Sequence, residues 1–135
     1  MPFMIHIKNF IADKGRKRYN MKILEKEVKN PLTDVFNATN CSRPMTEAID
    51  NKIVVVGYVK FTDIDSQTKE EKEYLSLVAD GGKCFSTGSP IFIKAFDVLL
   101  DTLSDNDMAI TNGIGIIPNV QKSKQNKDFY NFTIC

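Results

Sequence analysis

From residue 52 onward the chain alternates apolar and polar positions with the period of strands, interrupted by one helical stretch. Ile53-Val54-Val55-Val56 leads into Gly57-Tyr58-Val59-Lys60-Phe61, a β-branched run too short for an ordinary helix, and it predicts a strand. Gly57, with no side chain in the middle of that run, marks a bulge or bend where a sheet curls. After the polar stretch Asp63 to Glu73, Tyr74-Leu75-Ser76-Leu77-Val78 resumes the alternation, so the two segments read as a long hairpin. Asp80-Gly81-Gly82 signals a tight turn, because glycine accepts positive φ, and Lys83 to Thr87 forms a third strand. Ser89-Pro90 opens a helix: the serine oxygen can accept a free backbone N–H, and proline at the first helical position has none to waste. Phe92, Phe96, Leu99, Leu100 and Leu103 recur at helical spacing on one face. Ser104-Asp105-Asn106-Asp107 ends that helix. A fourth strand spans about Met108 to Ile117, and Phe129 to Ile134 forms a fifth after a polar loop at Asn119 to Asp128.

The first fifty-one residues are patterned more weakly. Residues 3–8 alternate, with Ile5 and Ile7 opposite Met4, His6 and Lys8, which predicts a short strand. Its apolar face is not needed by the later strands, so it is available to pair across a subunit boundary, and a homodimer or higher oligomer is expected. Met21 to Val28 reads either as an edge strand or as a pair of helical turns. Asn30-Pro31 disfavours helix before the proline, and 30–51 is expected to be mostly loop. The chain thus divides into an N-terminal arm, 1–51, and a domain, 52–135. In that domain the order strand, strand, strand, helix, strand, strand is that of the OB-fold: mainly β with one helix, a five-stranded Greek-key barrel.

Composition narrows the class of protein. With 135 residues, 42% hydrophobic and 26% charged, the chain has the balance of a globular protein and room for one substantial core. It contains no apolar run long enough to span a bilayer and no secretory leader pattern, so neither a membrane nor an export route is expected. Cys41, Cys84 and Cys135 are far apart and odd in number, and His6 is distant from all of them. That spacing suits neither a disulfide framework nor a zinc site and implies reduced thiols in a cytoplasm. The net charge of +1 conceals segregation: residues 1–20 hold five basic groups against Asp13, residues 61–119 hold four basic against ten acidic, and 120–135 hold three basic against one acidic.

No catalytic constellation is present, because a lone His6 completes no Ser/His/Asp or Cys/His set and no phosphate-cradling glycine motif occurs. No cofactor, metal or small-molecule substrate is implied. Asp63, Asp65, Glu70, Glu71 and Glu73 alternate with Lys69 and Lys72 and read as a solvated loop. Aromatic residues on the strands carry the more informative signal. Leu75 and Leu77 face inward, which turns Tyr74 and Ser76 outward; Tyr58 and Lys60 share the face opposite Gly57, Val59 and Phe61, and the hydroxyls of Tyr58 and Tyr74 suit exposure. On the last strand either Tyr130/Phe132/Ile134 or the more polar Phe129/Asn131/Thr133 faces out. Exposed rings beside lysines suit a single nucleic-acid strand, since bases stack on the rings while cations follow the phosphates. The candidate residues are Tyr58, Tyr74, Phe85 and Tyr130 for stacking, with Lys60, Lys83, Lys122, Lys124 and Lys127 for phosphates.

Val54-Val55-Val56-Gly57-Tyr58-Val59, Tyr74-Leu75-Ser76-Leu77, and above all Phe85-Ser86-Thr87-Gly88-Ser89-Pro90 before an apolar helix resemble the small single-stranded DNA-binding proteins of bacteriophages. The resemblance covers about residues 52–135. It implies an OB-fold that protects single-stranded DNA during phage replication or recombination, in the host cytoplasm and without catalysis. The chain departs from cellular bacterial relatives, whose acidic C-terminal tail recruits partner enzymes, by stopping at Thr133-Ile134-Cys135 inside a predicted strand. The competing reading is a non-catalytic protein-interaction module built on the same barrel.

Overall fold

The computed structural model describes residues 21–135, so the expected strand at 3–8 and the basic cluster from Lys14 to Arg18 lie outside the described residues. The chain begins with strand β1, Lys22–Glu27, which resolves the two readings of this segment in favour of an edge strand. Helix α1, Pro31–Asn40, follows where loop was expected. Asn30-Pro31 starts a helix instead of merely ending one, because the fixed φ of proline suits the first helical position. The Asn30 N–H donates to the Asp34 carboxylate at 3.0 Å, and Val35, Ala38 and Thr39 turn toward the sheet. So short an apolar stripe forms a stable helix only when a surface is there to bury it. A two-residue strand, β2 (Arg43–Pro44), and a 3₁₀ turn, Met45–Ala48, complete this part of the chain.

The expected order then follows. Strands β3 (Ile53–Ile64), β4 (Glu71–Ala79) and β5 (Cys84–Thr87) are followed by helix α2 (Pro90–Asp105), a 3₁₀ turn at Ile110–Asn112, and strands β6 (Ile114–Lys122) and β7 (Asp128–Ile134). The boundaries differ. The β3–β4 hairpin extends into the polar stretch 63–73 from both sides, to Ile64 and from Glu71, with its turn closed by Asp65, whose carboxylate accepts the N–H groups of Gln67 and Thr68. The fourth expected strand starts only at Ile114, and the loop before β7 shrinks to 123–127. Ser89 caps α2 by accepting the Phe92 N–H at 3.3 Å, with Pro90 in the first turn.

The strands form one curled sheet, a half-barrel, in the order β2-β5-β4-β3-β6-β7. β1 pairs with Tyr58–Thr62 of β3, while β6 pairs with Ile53–Val55 farther along the same edge. The register of β3 against β4 shifts between Val55 and Gly57, the bulge anticipated at that glycine. A Cβ on Gly57 would lie 2.9 Å from the Glu27 carbonyl oxygen and 3.3 Å from the Val28 Cα, so the missing side chain lets the end of β1 cross the sheet. Gly57→Ala is therefore expected to destabilise the fold by about 1–3 kcal/mol, because its clash is with backbone that cannot swing aside. Urea denaturation with a midpoint equal to that of the parent would contradict this account of the crossing.

Both faces of the sheet are covered. On the inner face Val55, Tyr58, Leu75, Leu77, Phe85 and Ile116 pack against α2 through Phe92, Phe96, Leu99 and Leu103. On the outer face Val59, Phe61, Val78 and Cys84 pack with Ala38 of α1, joined by Met21, Val28 and Val35. Met45 and Ala48 enter the inner core. Packing consequently does not stop at residue 52: residues 21–51 help build both cores. No described helix is long and apolar enough to cross a membrane.

Candidate nucleic-acid interface

The candidate residues fall into three groups by position. Tyr58, Lys60 and Phe85 are buried, each less than a tenth exposed. Tyr58 and Lys60 do share one face of β3, but that face is the inner one. The Tyr58 ring meets Phe96 edge-on, with centroids 5.3 Å apart, and its hydroxyl donates to the Glu25 carboxylate of β1. Burial, reinforced by that hydrogen bond, raises the phenol well above its ordinary pKa. The Lys60 ammonium pairs with Asp97 of α2 and stands 3.7 Å from Glu25. Burial pushes Lys60 toward neutrality, but the hydrogen bond and charge of Asp97 outweigh it, so the net shift is upward and the lysine stays charged. Together these side chains tie β1 and α2 to β3. The expectation of exposure fails because α2 packs over this face and Glu25 of the neighbouring strand β1 reaches onto it, and alternation along β3 alone shows neither.

Tyr74 lies on the outer face at the rim of α1. Half-buried, it stacks on Phe61 with centroids 5.7 Å apart, and Lys72 Nζ sits 5.7 Å from the Tyr74 ring centroid. Gly88 keeps this corner open: a Cβ there would lie 3.0 Å from Lys72 Cε and 3.1 Å from Tyr74 Cε1. Ser76, expected to face outward as well, does so but is fully buried between Val59 and Ser86, and its hydroxyl has no hydrogen-bond partner among the described residues. The outer face is thus closed at its centre and accessible at the Tyr74 rim.

Lys83, Lys122, Lys124, Lys127 and Tyr130 are exposed. Lys122 is paired with Asp128 at 2.7 Å across the base of the β6–β7 turn, an exposed pair that contributes little to stability. Lys124 and Lys127 project from that turn. Tyr130 shares the face of Phe132, whose ring packs 5.1 Å from that of Phe92, but lies beyond the core and is 37% exposed.

One cleft unites part of this set. Where the end of β5 approaches the start of β7, an open cleft of about 520 Å³ has Lys72, Thr87, Gly88, Asp128, Phe129 and Tyr130 in its lining. Phe129 and Tyr130, consecutive on β7 and so on opposite faces of that strand, line it together with Lys72, which also rests on Tyr74, and the lysines of the β6–β7 turn stand next to it in the chain. Lys94 of α2 lines a second cleft that shares Lys72, Gly88 and Pro90. Lys72 and Lys94 were missed by sequence reasoning. Lys72 carried a signal, since two residues before Tyr74 on one strand places both on the same face.

The cysteines offer little chemistry. Burial, then the nearby Asp34 and Cys41, pushes the Cys84 thiol up to about 11, whereas Cys41 and Cys135 are exposed. A thiol reagent at pH 8 is expected to modify Cys41 and Cys135 in the native protein and Cys84 only after unfolding. From about 9.0 to about 11 the folded chain retains a proton on Cys84 that the unfolded chain releases, so this group's contribution to stability falls as pH rises through that window. Native modification of Cys84 at the rate of the other two would contradict its burial.

Comparison of the chain with protein-family models, with curated proteins and with solved structures finds no match.

Proposed function

We propose that this chain is a non-catalytic single-stranded DNA-binding protein, serving phage replication or recombination, whose DNA crosses the seam of the half-barrel between β5 and β7. The observation that carries the reading is the seam cleft, which Lys72, Phe129 and Tyr130 line together beside the Lys124 and Lys127 turn. An OB-fold interpretation is supported by the strand order, in which β3 pairs with both β4 and β6 and the helix lies between β5 and β6. OB-folds bind oligonucleotides across their second and third strands and between the loops joining strands one to two and four to five. The cleft and the β6–β7 turn occupy the corresponding region. Stacking on Tyr130 and Tyr74 supplies sequence-tolerant affinity, and Lys72, Lys94, Lys124 and Lys127 follow the phosphates.

Titration of labelled single-stranded oligonucleotides with the full chain tests this reading directly. Tyr130→Ala is expected to weaken binding to every sequence, whereas Lys83→Ala, distant from the cleft in the β4–β5 turn, is expected to leave it nearly unchanged. Absence of binding to oligonucleotides at low salt defeats the proposal. The second reading, a protein-interaction module, is favoured by Leu32 and Phe36 on α1, which are 85% and 57% exposed on the same side of a short helix. Lone apolar side chains on a surface are ordinary, whereas an adjacent i, i+4 pair offers a contiguous apolar anchor for a partner.

A further inference from the structure

One edge of β7 is paired with no other described strand: among the described residues β7 pairs with β6 alone. The Cys135 N–H donates to the Gly115 carbonyl of the β6 side. By the alternation of an antiparallel ladder, the N–H and C=O groups of Phe132 and Ile134 therefore point away from β6. Soluble proteins ordinarily blunt such edges with charges, prolines or bulges. The other edges conform: β1 carries Lys22, Glu25, Lys26 and Glu27, and β2 ends in Pro44. From Phe129 to Cys135, in contrast, the chain has no charged side chain, no proline and no glycine. Beside this half of β7 an apolar cleft of about 520 Å³ opens toward α2, lined by Ala95, Val98, Leu99, Thr102, Phe132 and Ile134. Val98 is 60% exposed and Ile134 61%.

We propose that a second copy of this chain occupies this edge, the two β7 strands pairing antiparallel about a two-fold axis at Thr133. The segment is complementary to itself in that register. Phe132 exchanges backbone hydrogen bonds with the partner's Ile134, and the reciprocal pair forms on the other side of the axis. Thr133 meets the partner's Thr133 on the outer face, while the partner's Phe132 and Ile134 extend the inner face over the cleft beside Val98. The only charged residue of β7, Asp128, lies away from the axis, so its two copies are not brought together. Asn131 Oδ1 accepts the Phe132 N–H at 2.8 Å in the single chain, and the incoming carbonyl takes its place. Phe129 and Tyr130 lie away from the axis, and the dimer does not depend on the nucleic-acid reading.

The test uses the full chain with Cys41 and Cys135 replaced by serine. Thr133→Cys is expected to form a reducible covalent dimer on mild oxidation, because directly opposed residues in a non-hydrogen-bonded pair lie within disulfide range. Gln125→Cys, equally exposed but in the β6–β7 turn, is expected to remain mostly uncrosslinked. Light scattering of the parent protein at high micromolar concentration is expected to give the mass of two chains. Val98→Lys leaves the strand itself untouched and is expected to weaken that dimer by roughly tenfold or more. A monomeric mass for the parent, crosslinking of Thr133→Cys no faster than Gln125→Cys, or a dimer indifferent to Val98→Lys would each overturn the proposal.

Discussion

Replacing Phe96 by alanine is expected to lower the stability of the folded chain by about 3–5 kcal/mol, a large share of what holds a small domain together. The side chain is fully buried on α2, and its ring is the hub of the inner core. It meets Tyr58 at 5.3 Å and Phe132 at 6.4 Å, so it joins β3 and β7 through one helix. Truncation removes the transfer energy of the ring and leaves a cavity that a curled sheet, braced by its hydrogen bonds, cannot readily collapse. Loss of the ring also frees the face of Tyr58, whose hydroxyl helps hold β1 through Glu25. Denaturant titration reads the effect directly, and a midpoint within error of the parent would place Phe96 outside the core.

Binding of single-stranded DNA is expected to fall steeply with salt. Four phosphate contacts, from Lys72, Lys94, Lys124 and Lys127, correspond to a slope of roughly −3 on logarithmic axes at about −0.7 per contact. A fourfold rise in salt then weakens binding roughly 50-fold. Loss of one lysine should flatten the slope by about 0.7, while Tyr130→Ala should cost about 1–3 kcal/mol and leave the slope unchanged. Duplex DNA should bind much more weakly, since its bases are already stacked and cannot reach Tyr130 or Tyr74. Lys60 should contribute nothing to the slope, because its charge is committed to Asp97 inside the fold. A slope near zero would remove phosphate contacts from the mechanism altogether.

The linear pattern was sufficient for the elements from residue 52 onward because each carried its own local physics. The β-branched run of β3, the glycine turn before β5 and the Ser89-Pro90 start of α2 act through sterics and hydrogen bonds within a few residues. The inward aim of Leu75 and Leu77 followed from alternation on one strand, and the bulge at Gly57 from the missing side chain. α1 was not legible, since Val35, Ala38 and Thr39 gain their helix only by burial against a sheet formed from residues far along the chain.

The same distinction governs the candidate site. Sequence alone identified which residues share a face of each strand and which lysines gather near the β6–β7 turn, because periodicity and proximity along the chain settle both. Only the tertiary structure decided which faces are accessible: α2 and β1 enclose Tyr58 and Lys60, α1 closes the centre of the outer face over Ser76, and the seam between β5 and β7 brings Lys72 to Tyr130. Exposure is a relation between elements remote in sequence, and a strand covered on both faces has the same alternation as one covered on a single face. For that reason strand identity and residue facing were written in the chain, whereas the location of the open cleft was created by the way the sheet curls and what packs against it.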